Sequence, residues 1–427
     1  MALTLVCGFE PGTVAGTVDT NAQKNTTASA RYSADGSVNN GTPTIITPGR
    51  GGRTLSYCVR LSGTATQNIN WGNLIFGAGS TKLVTVTYFR FPSALPTVLT
   101  RLFKSEPVLG GAFGAEIRFN PTGNVLEAQV VAGTIRTGPV IVVGQWYRVE
   151  TRFDVAGTTY TLDWAVDGVD QLQASATGQT ASTAGFYTIG WGAALGASST
   201  VDFDDVGISI TTGDYKIGPM FVTRLGVDTA GTLTINSGIT TNWDTFAGAT
   251  PTHTAWNATT ARDAIDEVPP NAAGGASQDG FSQIVLSTTD FVNIPMTSYQ
   301  LGPGEKILGA RMVCPVHADT NVAATIGFRY ITTGVEQTLR AAAGWGQDNA
   351  APWVWVCSGL TLADIDTQVE LDALVMRVGY SGDATPKIGI QGMYVELAIA
   401  EGYGPKFRDS SRRQTGIQDT RAVYAGG

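Results

Sequence analysis

The sequence predicts an all-β protein built as two successive sandwiches, and three observations lead there. Only 15% of the residues are charged, while Gly accounts for 53 of 427 and Thr is abundant, a mix poor in helix formers and rich in turn and strand residues. Apolar residues recur in short alternating runs separated by Gly, Asn, Asp and Ser clusters, the spacing of a sandwich or barrel. A chain of 427 residues with 43% hydrophobic content can bury two ordinary cores, since a domain takes roughly 100–200 residues.

In the first half, strands are expected at 3–9, 54–61, 83–91, 115–119, 125–131, 146–153, 160–166, 187–191 and 201–210. The clearest signal is the hairpin in WYRVETRFDVAGTTYTLDWAVDGV. Val149, Thr151 and Phe153 alternate with Arg148, Glu150 and Arg152 before a turn at 156–158. On the return, Tyr160, Leu162, Trp164 and Val166 share one face and Thr161, Asp163 and Ala165 the other. Asp167-Gly168 then supplies the positive-φ chemistry of a tight connection.

The first unit is expected to cover 1–212, followed by a Gly- and Thr-rich linker with leading strands over 213–242 and a second, smaller sandwich over 243–401. Within the latter, a short helix at 258–266 stops at Pro269-Pro270, and strands follow at 281–286, 306–316, 323–331, 354–357, 374–380 and 387–400. The end, 402–427, loses the alternation. It carries Lys406, Arg408, Arg412, Arg413 and Arg421 against Asp409 and Asp419, which reads either as a disordered terminus or as a basic arm that docks on a neighbouring subunit.

Thirty-five acidic against 27 basic residues give a net charge of −8, which is no footprint for nucleic acid or anionic lipid. No run approaches the roughly 20 apolar residues of a membrane span, so no membrane insertion is expected. The start, MALTLVCGFEPGT, lacks the basic and long apolar regions of a secretory leader, and synthesis in a cytosol is the expectation. Cys7, Cys58, Cys314 and Cys357 show no CxxC pairing and are expected as small buried hydrophobes. His253 and His317 stand far apart, without zinc-ligand spacing.

Four segments, GFEPG, GRGGRTLSYCVRL, the Trp146 hairpin with its VDG turn, and VDFDDVGISI, follow one another in the order found in concanavalin A-like, laminin-G-like jelly-roll lectin domains, which the first half resembles. The second half, with NWDTFAG, AIDEVPP, APWVWVCSGLTLADID and LVMRVGYSGD, looks like the C-terminal sandwich of bacteriophage minor tail and fibre proteins. The resemblance implies an N-terminal jelly-roll β-sandwich, a smaller C-terminal β-sandwich and an extended C-terminal arm. It also implies a virion protein assembled in the host cytoplasm.

Jelly-roll glycanases carry Glu-x-Asp-x-x-Glu on one strand face, so that two carboxylates flank the glycosidic bond. The only Glu-x-Asp here is Glu370-Leu371-Asp372, with Val at 375 and in the second unit, and GxSxG is absent, so no catalytic residue and no enzyme are expected. Asp202, Asp204 and Asp205 form the densest carboxylate cluster. Oxygen-rich clusters suit calcium, although alternate carboxylates on a strand more commonly just face water. Sugar binding requires exposed aromatic rings beside polar groups, for which Trp71 in the polar QNINWGN stretch, Tyr88 and Trp191 are the candidates. Trp146 and Trp164 read as core, and Trp353 and Trp355 as core or subunit contact.

The expected function is therefore that of a non-enzymatic virion structural protein, a tail-tip or fibre component whose lectin-like unit contacts host-surface glycan. It would need no cofactor beyond the calcium considered above, and its partners would be other virion proteins and further copies of itself, a trimer among the cyclic options. A head decoration or head-fibre protein with a purely structural role is the alternative. A polysaccharide-degrading enzyme with an unfamiliar site is the third.

Overall fold

In the computed structural model the residues described are 3, 5–7, 37–39, 44–46, 48–50, 58–62, 68–71, 81–106, 114–131, 133–179, 186–189, 200–228, 234–235, 281–282, 291–318, 322–345, 354–360, 362–381, 388–390 and 394–402. They form an all-β protein of four antiparallel sheets. The first sheet runs Val169–Asp170, Thr159–Val166, Tyr147–Ala156, Lys82–Arg90, Thr200–Ser209, Cys58–Ser62, Thr44–Ile46, with Leu5–Cys7 and Ala174–Ala176 added at its margins. The second runs Arg136–Val140, Val125–Val130, Ala115–Asn120, Thr100–Glu106, Phe186–Ile189, Asn68–Trp71, Ser37–Asn39. Strands from Met220 onward form two further sheets. The third is built on Met220–Leu225, Tyr394–Ala400 and Lys306–Ala318, and the fourth on Phe291–Pro295, Val375–Ser381, Val322–Thr332 and Val335–Trp345.

The first two sheets enclose one core, in which Phe89, Phe103, Phe119, Phe153, Trp164 and Phe203 are almost wholly buried. The Trp146 hairpin has the expected register, Val149 opposite Val166 through Ala156 opposite Thr159. Its turn residues Gly157, Asp167 and Gly168 have φ of 60°, 50° and 81°, so both central positions of the Asp167-Gly168 turn are left-handed. Thr85 meets its register partner Thr151 on the adjacent strand at 2.6 Å, and Thr87 crosses between the sheets to the Tyr187 hydroxyl at 3.0 Å, so these buried threonines are satisfied.

The strand Lys82–Arg90 explains how the units meet. A strand with one solvent face alternates, yet 83 through 89 are buried without a break. Leu83 and Phe89 face the first core, while Val84, Val86 and Tyr88 pack on Met220, Val222, Leu308 and Ala398 of the third sheet. The first sheet is thus covered on both faces. The neighbouring strand Thr200–Ser209 adapts to this by a bulge between Asp204 and Gly207, with Asp205 at φ 47°. The bulge shifts the alternation by one residue: Val201 and Phe203 face the core before it, Val206 and Ile208 after it. Gly207 is needed here because a Cβ would lie 3.0 Å from both the Met220 side chain and Val86.

Several expectations are corrected. The segment expected as linker with leading strands holds a full edge strand, Met220–Leu225, paired along its whole length with Tyr394–Ala400 and packed on the first sheet. The single strand expected at 387–400 is two, Ile388–Ile390 and Tyr394–Ala400, both pairing with Lys306–Ala318. A short helix, Gln368–Asp372, precedes Val375–Ser381, opened by a reciprocal cap between Thr367 and Glu370. The expected helix at 258–266 and the arm residues Lys406, Arg408, Arg412, Arg413 and Arg421 lie outside the described residues.

Candidate functional site

The densest buried constellation of polar groups sits where the two units meet, and Arg50 is at its centre. The Arg50 amide donates to Asp204 Oδ2 at 2.6 Å, and its guanidinium donates through Nε to Asp205 Oδ2 at 2.8 Å. Nη2 reaches Glu401 Oε1 at 2.8 Å and also donates to the Met220 carbonyl. The guanidinium carbon lies 3.7 Å over the centre of the Tyr88 ring. The Val222 amide donates to Asp205 Oδ1 at 2.7 Å, and the Met220 amide donates to the Tyr88 hydroxyl at 3.2 Å. One arginine thus ties the first sheet to the third, and every main-chain group it touches across the boundary is satisfied.

The outward carboxylates of the Thr200–Ser209 strand have separate partners. Asp202 is fully buried and held by both oxygens, by Arg60 at 2.7 and 2.9 Å and by Arg90 at 2.9 Å. Asp204 accepts the amides of Arg50 and of Asp205, the latter at 2.8 Å. Burial and the adjacent Asp205 charge push the Asp204 carboxyl well above the usual carboxylate range, against the Arg50 and Asp205 amide bonds and the Arg50 charge, which favour its ionised form. Buried beside it, the free Cys58 thiol is also pushed up, by desolvation first and then by Asp204 and Asp202.

These contacts correct the sequence reading of this site. Asp202, Asp204 and Asp205 do not converge on a calcium position, because their oxygens are taken by guanidinium and main-chain donors, and among the described residues no group of three His, Cys, Asp or Glu is placed to hold a metal. Tyr88 is no open platform for a sugar: it is 5% exposed, sealed under Arg50, and burial pushes its phenol up to about 12, with Arg50 opposing. Trp71 ends the strand Asn68–Trp71, opposite Tyr187, rather than lying in a loop. Trp191 lies outside the described residues. Trp146 is half-buried, with the Arg90 guanidinium 4.7 Å from its ring centre, while Trp164 is core as expected and donates Nε1 to the Leu172 carbonyl.

A second polar cluster, which the sequence reading passed over, occupies the outer face of the second sheet. Ile117, Phe119, Leu126 and Ala128 point inward, so Glu116, Arg118, Asn120, Glu127 and Gln129 share the opposite face. Arg118 donates to Glu127 at 2.9 Å, Glu116 at 3.1 Å and Gln129 at 2.7 Å, Asn120 donates to Glu127 at 2.8 Å, and Arg101 pairs with Glu116 at 2.8 Å. Lys104, register partner of Glu116, is almost wholly buried. Desolvation and the charge of Arg101 bring its ammonium down to about 8, with Glu116 opposing. Arg101, Asn120 and Gln129 are half-buried and reach solvent at the margin. In AEIRFN and VLEAQV the polar positions Glu116, Arg118, Asn120, Glu127 and Gln129 alternate with apolar ones, which puts them on one face but does not mark them as a cluster.

No protein-family model matches the chain, and no curated protein does. Solved structures do. A Trypanosoma rangeli sialidase is 14% identical over 42% of this chain and 29% of its own, at a TM-score of 0.29. The cellulose-induced protein Cip1 is 16% identical over 40% of this chain and 88% of its own, at 0.30. A further protein titled sialidase is 8% identical over 50% of this chain and 19% of its own, at 0.32. The chain spans less than a third of the length of these sialidases.

Chemically, the Arg50 centre can hold two sheets at a fixed angle. The face around Arg118 offers fixed donors and acceptors, with each carboxylate bridged to a guanidinium, an arrangement suited to holding a polar ligand at its margin rather than to moving protons.

Proposed function

We propose that this chain is a non-enzymatic structural and recognition protein of a bacteriophage particle, a minor tail component assembled with other virion proteins and copies of itself. In this reading the first sandwich meets host-surface glycan and the second anchors it. The observation that carries the reading is the inequality of the two outer faces of the first sandwich. The face of the first sheet is taken up by the third sheet through Tyr88, Met220 and Arg50, whereas the face of the second presents Arg101, Asn120 and Gln129 at half-buried positions around a buried, hydrogen-bonded base of Lys104, Glu116, Arg118 and Glu127. Glycan contact is assigned to that second face, and repeated copies in a particle supply the avidity that one weak contact lacks.

The test is retention of the full chain on purified host envelope polysaccharide, with product release followed in parallel. Saturable retention without product, lost in a variant carrying Arg101→Ala, Asn120→Ala and Gln129→Ala, is the expected result. Retention unaffected by those changes moves the contact elsewhere. Release of sugar product overturns the non-enzymatic reading.

A further inference from the structure

Among the described residues the joint holds more acid than base. Around Arg50 stand three carboxylates, Asp204, Asp205 and Glu401, and Arg50 bonds the last two through its guanidinium while meeting Asp204 only with its main-chain amide. The other groups facing Asp204 do not restore the balance. On its own strand Asp202 already takes Arg60 and Arg90, the Cys58–Ser62 strand brings the Cys58 thiol and that same Arg60, and the Lys82–Arg90 strand brings Tyr88 and Arg90. Arg148 lies beyond Tyr88, engaged with Glu150 at 2.9 Å. From the Met220–Leu225 strand come only the Met220 carbonyl and the Val222 amide, neither bonded to Asp204. Asp204 is 1% exposed, so its charge, were it ionised, would stand buried beside Asp205 with no guanidinium bonded to it among the described residues, opposed only by the charge of Arg50, which is already bonded to Asp205 and Glu401.

We infer that Asp204 carries a proton in the closed joint, and that the contact between the two sandwiches is a proton-dependent clamp, tight while Asp204 is neutral and loosened when it ionises. The raised titration of this carboxyl agrees in direction. For a carboxyl raised in the closed state, the closed state binds the extra proton above the ordinary carboxylate range, so the clamp is strongest at low pH and weakens as pH rises through the raised value.

The test uses the full chain and two reporter amides, Met220 and Val222, whose protons are held across the joint by Tyr88 and Asp205. Hydrogen-exchange protection factors, corrected for the intrinsic pH dependence of exchange, are measured from pH 5 to pH 9 on the order of one unit at a time, with amides of the Tyr147–Val166 hairpin as internal controls. The expected result is a fall at the two reporters that approaches about tenfold per pH unit, the slope of one proton, below the raised value and levels off above it, with the hairpin amides unchanged. In Asp204→Asn the slope disappears, whatever the height of the plateau, since the amide can replace only one of the two acceptor oxygens. A flat wild-type profile, or an Asp204→Asn profile as steep as wild type, overturns the inference. Loss of protection on adding EDTA at constant pH, restored by Ca²⁺, also overturns it, because the neutralising cation would then be a metal. Should Asp204→Asn fail to fold, infrared spectra of the wild-type chain decide: a protonated-carboxyl carbonyl band that vanishes on raising pH supports the clamp, and its absence at every pH refutes it.

Discussion

Replacing Arg50 by Met is the sharpest test of how the two sandwiches are held. Met keeps much of the length and apolar stem while removing both charged nitrogens that reach Asp205 and Glu401 and the donor to Met220. Asp205, 3% exposed, then keeps the Val222 amide but loses its guanidinium partner. Breaking a buried pair by deleting one partner costs about 3–5 kcal/mol, most of it the penalty of the carboxylate left behind. Glu401 is 17% exposed and can turn toward water, and the Tyr88 contact is partly replaced by sulfur over the ring, so the low end, about 3 kcal/mol, is expected.

The location of the loss matters more than its size. The Arg50 bonds to Asp204, Asp205, Glu401 and Met220 and its contact with Tyr88 all lie outside the first core, so the first sandwich should keep its own stability while the joint opens. Calorimetry of the full chain should show the wild-type transition broaden or split in Arg50→Met, with the Met220 and Val222 amides losing protection before the hairpin amides. Arg50→Lys should fall between, keeping charge but losing the fork. A cycle with Asp205→Asn should give a coupling above about 1 kcal/mol, as expected for groups in direct contact. A loss below about 1 kcal/mol with one unchanged transition would refute the assignment of Arg50 as the tie.

Two further outcomes follow from single residues. A Cβ on Gly138 would sit 2.2 Å from the Trp164 ring, with no flexible atom to yield, so Gly138→Ala should lower the stability of the first sandwich by about 1–3 kcal/mol in urea titrations. Lys104 titrates below its ordinary value in the folded chain, so between about pH 8 and the unfolded value near 10.4 the unfolded chain binds more protons and stability should rise with pH. That rise should be absent in Lys104→Met.

What could be read from the sequence depended on how many faces a strand buries. The Trp146 hairpin alternates because Arg148, Arg152 and Asp163 keep partial contact with solvent opposite a core face, and its register and turns followed from that pattern. Lys82–Arg90 does not alternate, and an unbroken run marks a strand without saying what covers its second face. Arg136–Val140 interrupts its pairing with a bulge and contains Gly138 and Pro139, so its local signal points to a turn. The short helix at Gln368–Asp372 was announced by Thr367-x-x-Glu370, a capping pattern overshadowed by the strand that follows. The carboxylates of VDFDDVGISI stand out in the sequence as its densest acidic cluster. Their arginine partners lie far off in the chain, Arg50 154 positions from Asp204, and Arg60 and Arg90 142 and 112 from Asp202, and spacing cannot pair residues at such separation.

The bulge at Asp204-Asp205 links these readings. A regular strand would place Asp204 and Asp205 on opposite faces and drive one carboxylate into the aromatic core beside Phe203. The extra residue turns both outward, Asp204 to the Arg50 amide and Asp205 to the Arg50 side chain and Val222, and leaves Gly207 flat enough for Met220 to lie against the sheet. One local irregularity therefore creates the polar tie and the apolar contact together. Two bodies joined this way cannot swing as beads on a flexible linker do, so any surface the first sandwich presents is held in a fixed direction relative to the second. In an assembly of repeated copies, a fixed direction raises the effective concentration of neighbouring contact faces when their spacing matches the target and removes it when it does not. Loosening the joint with Arg50→Met should consequently weaken multivalent retention on a dense, regular glycan surface more than on a dilute one, and equal loss on both would show that the direction set by the joint does not matter to binding.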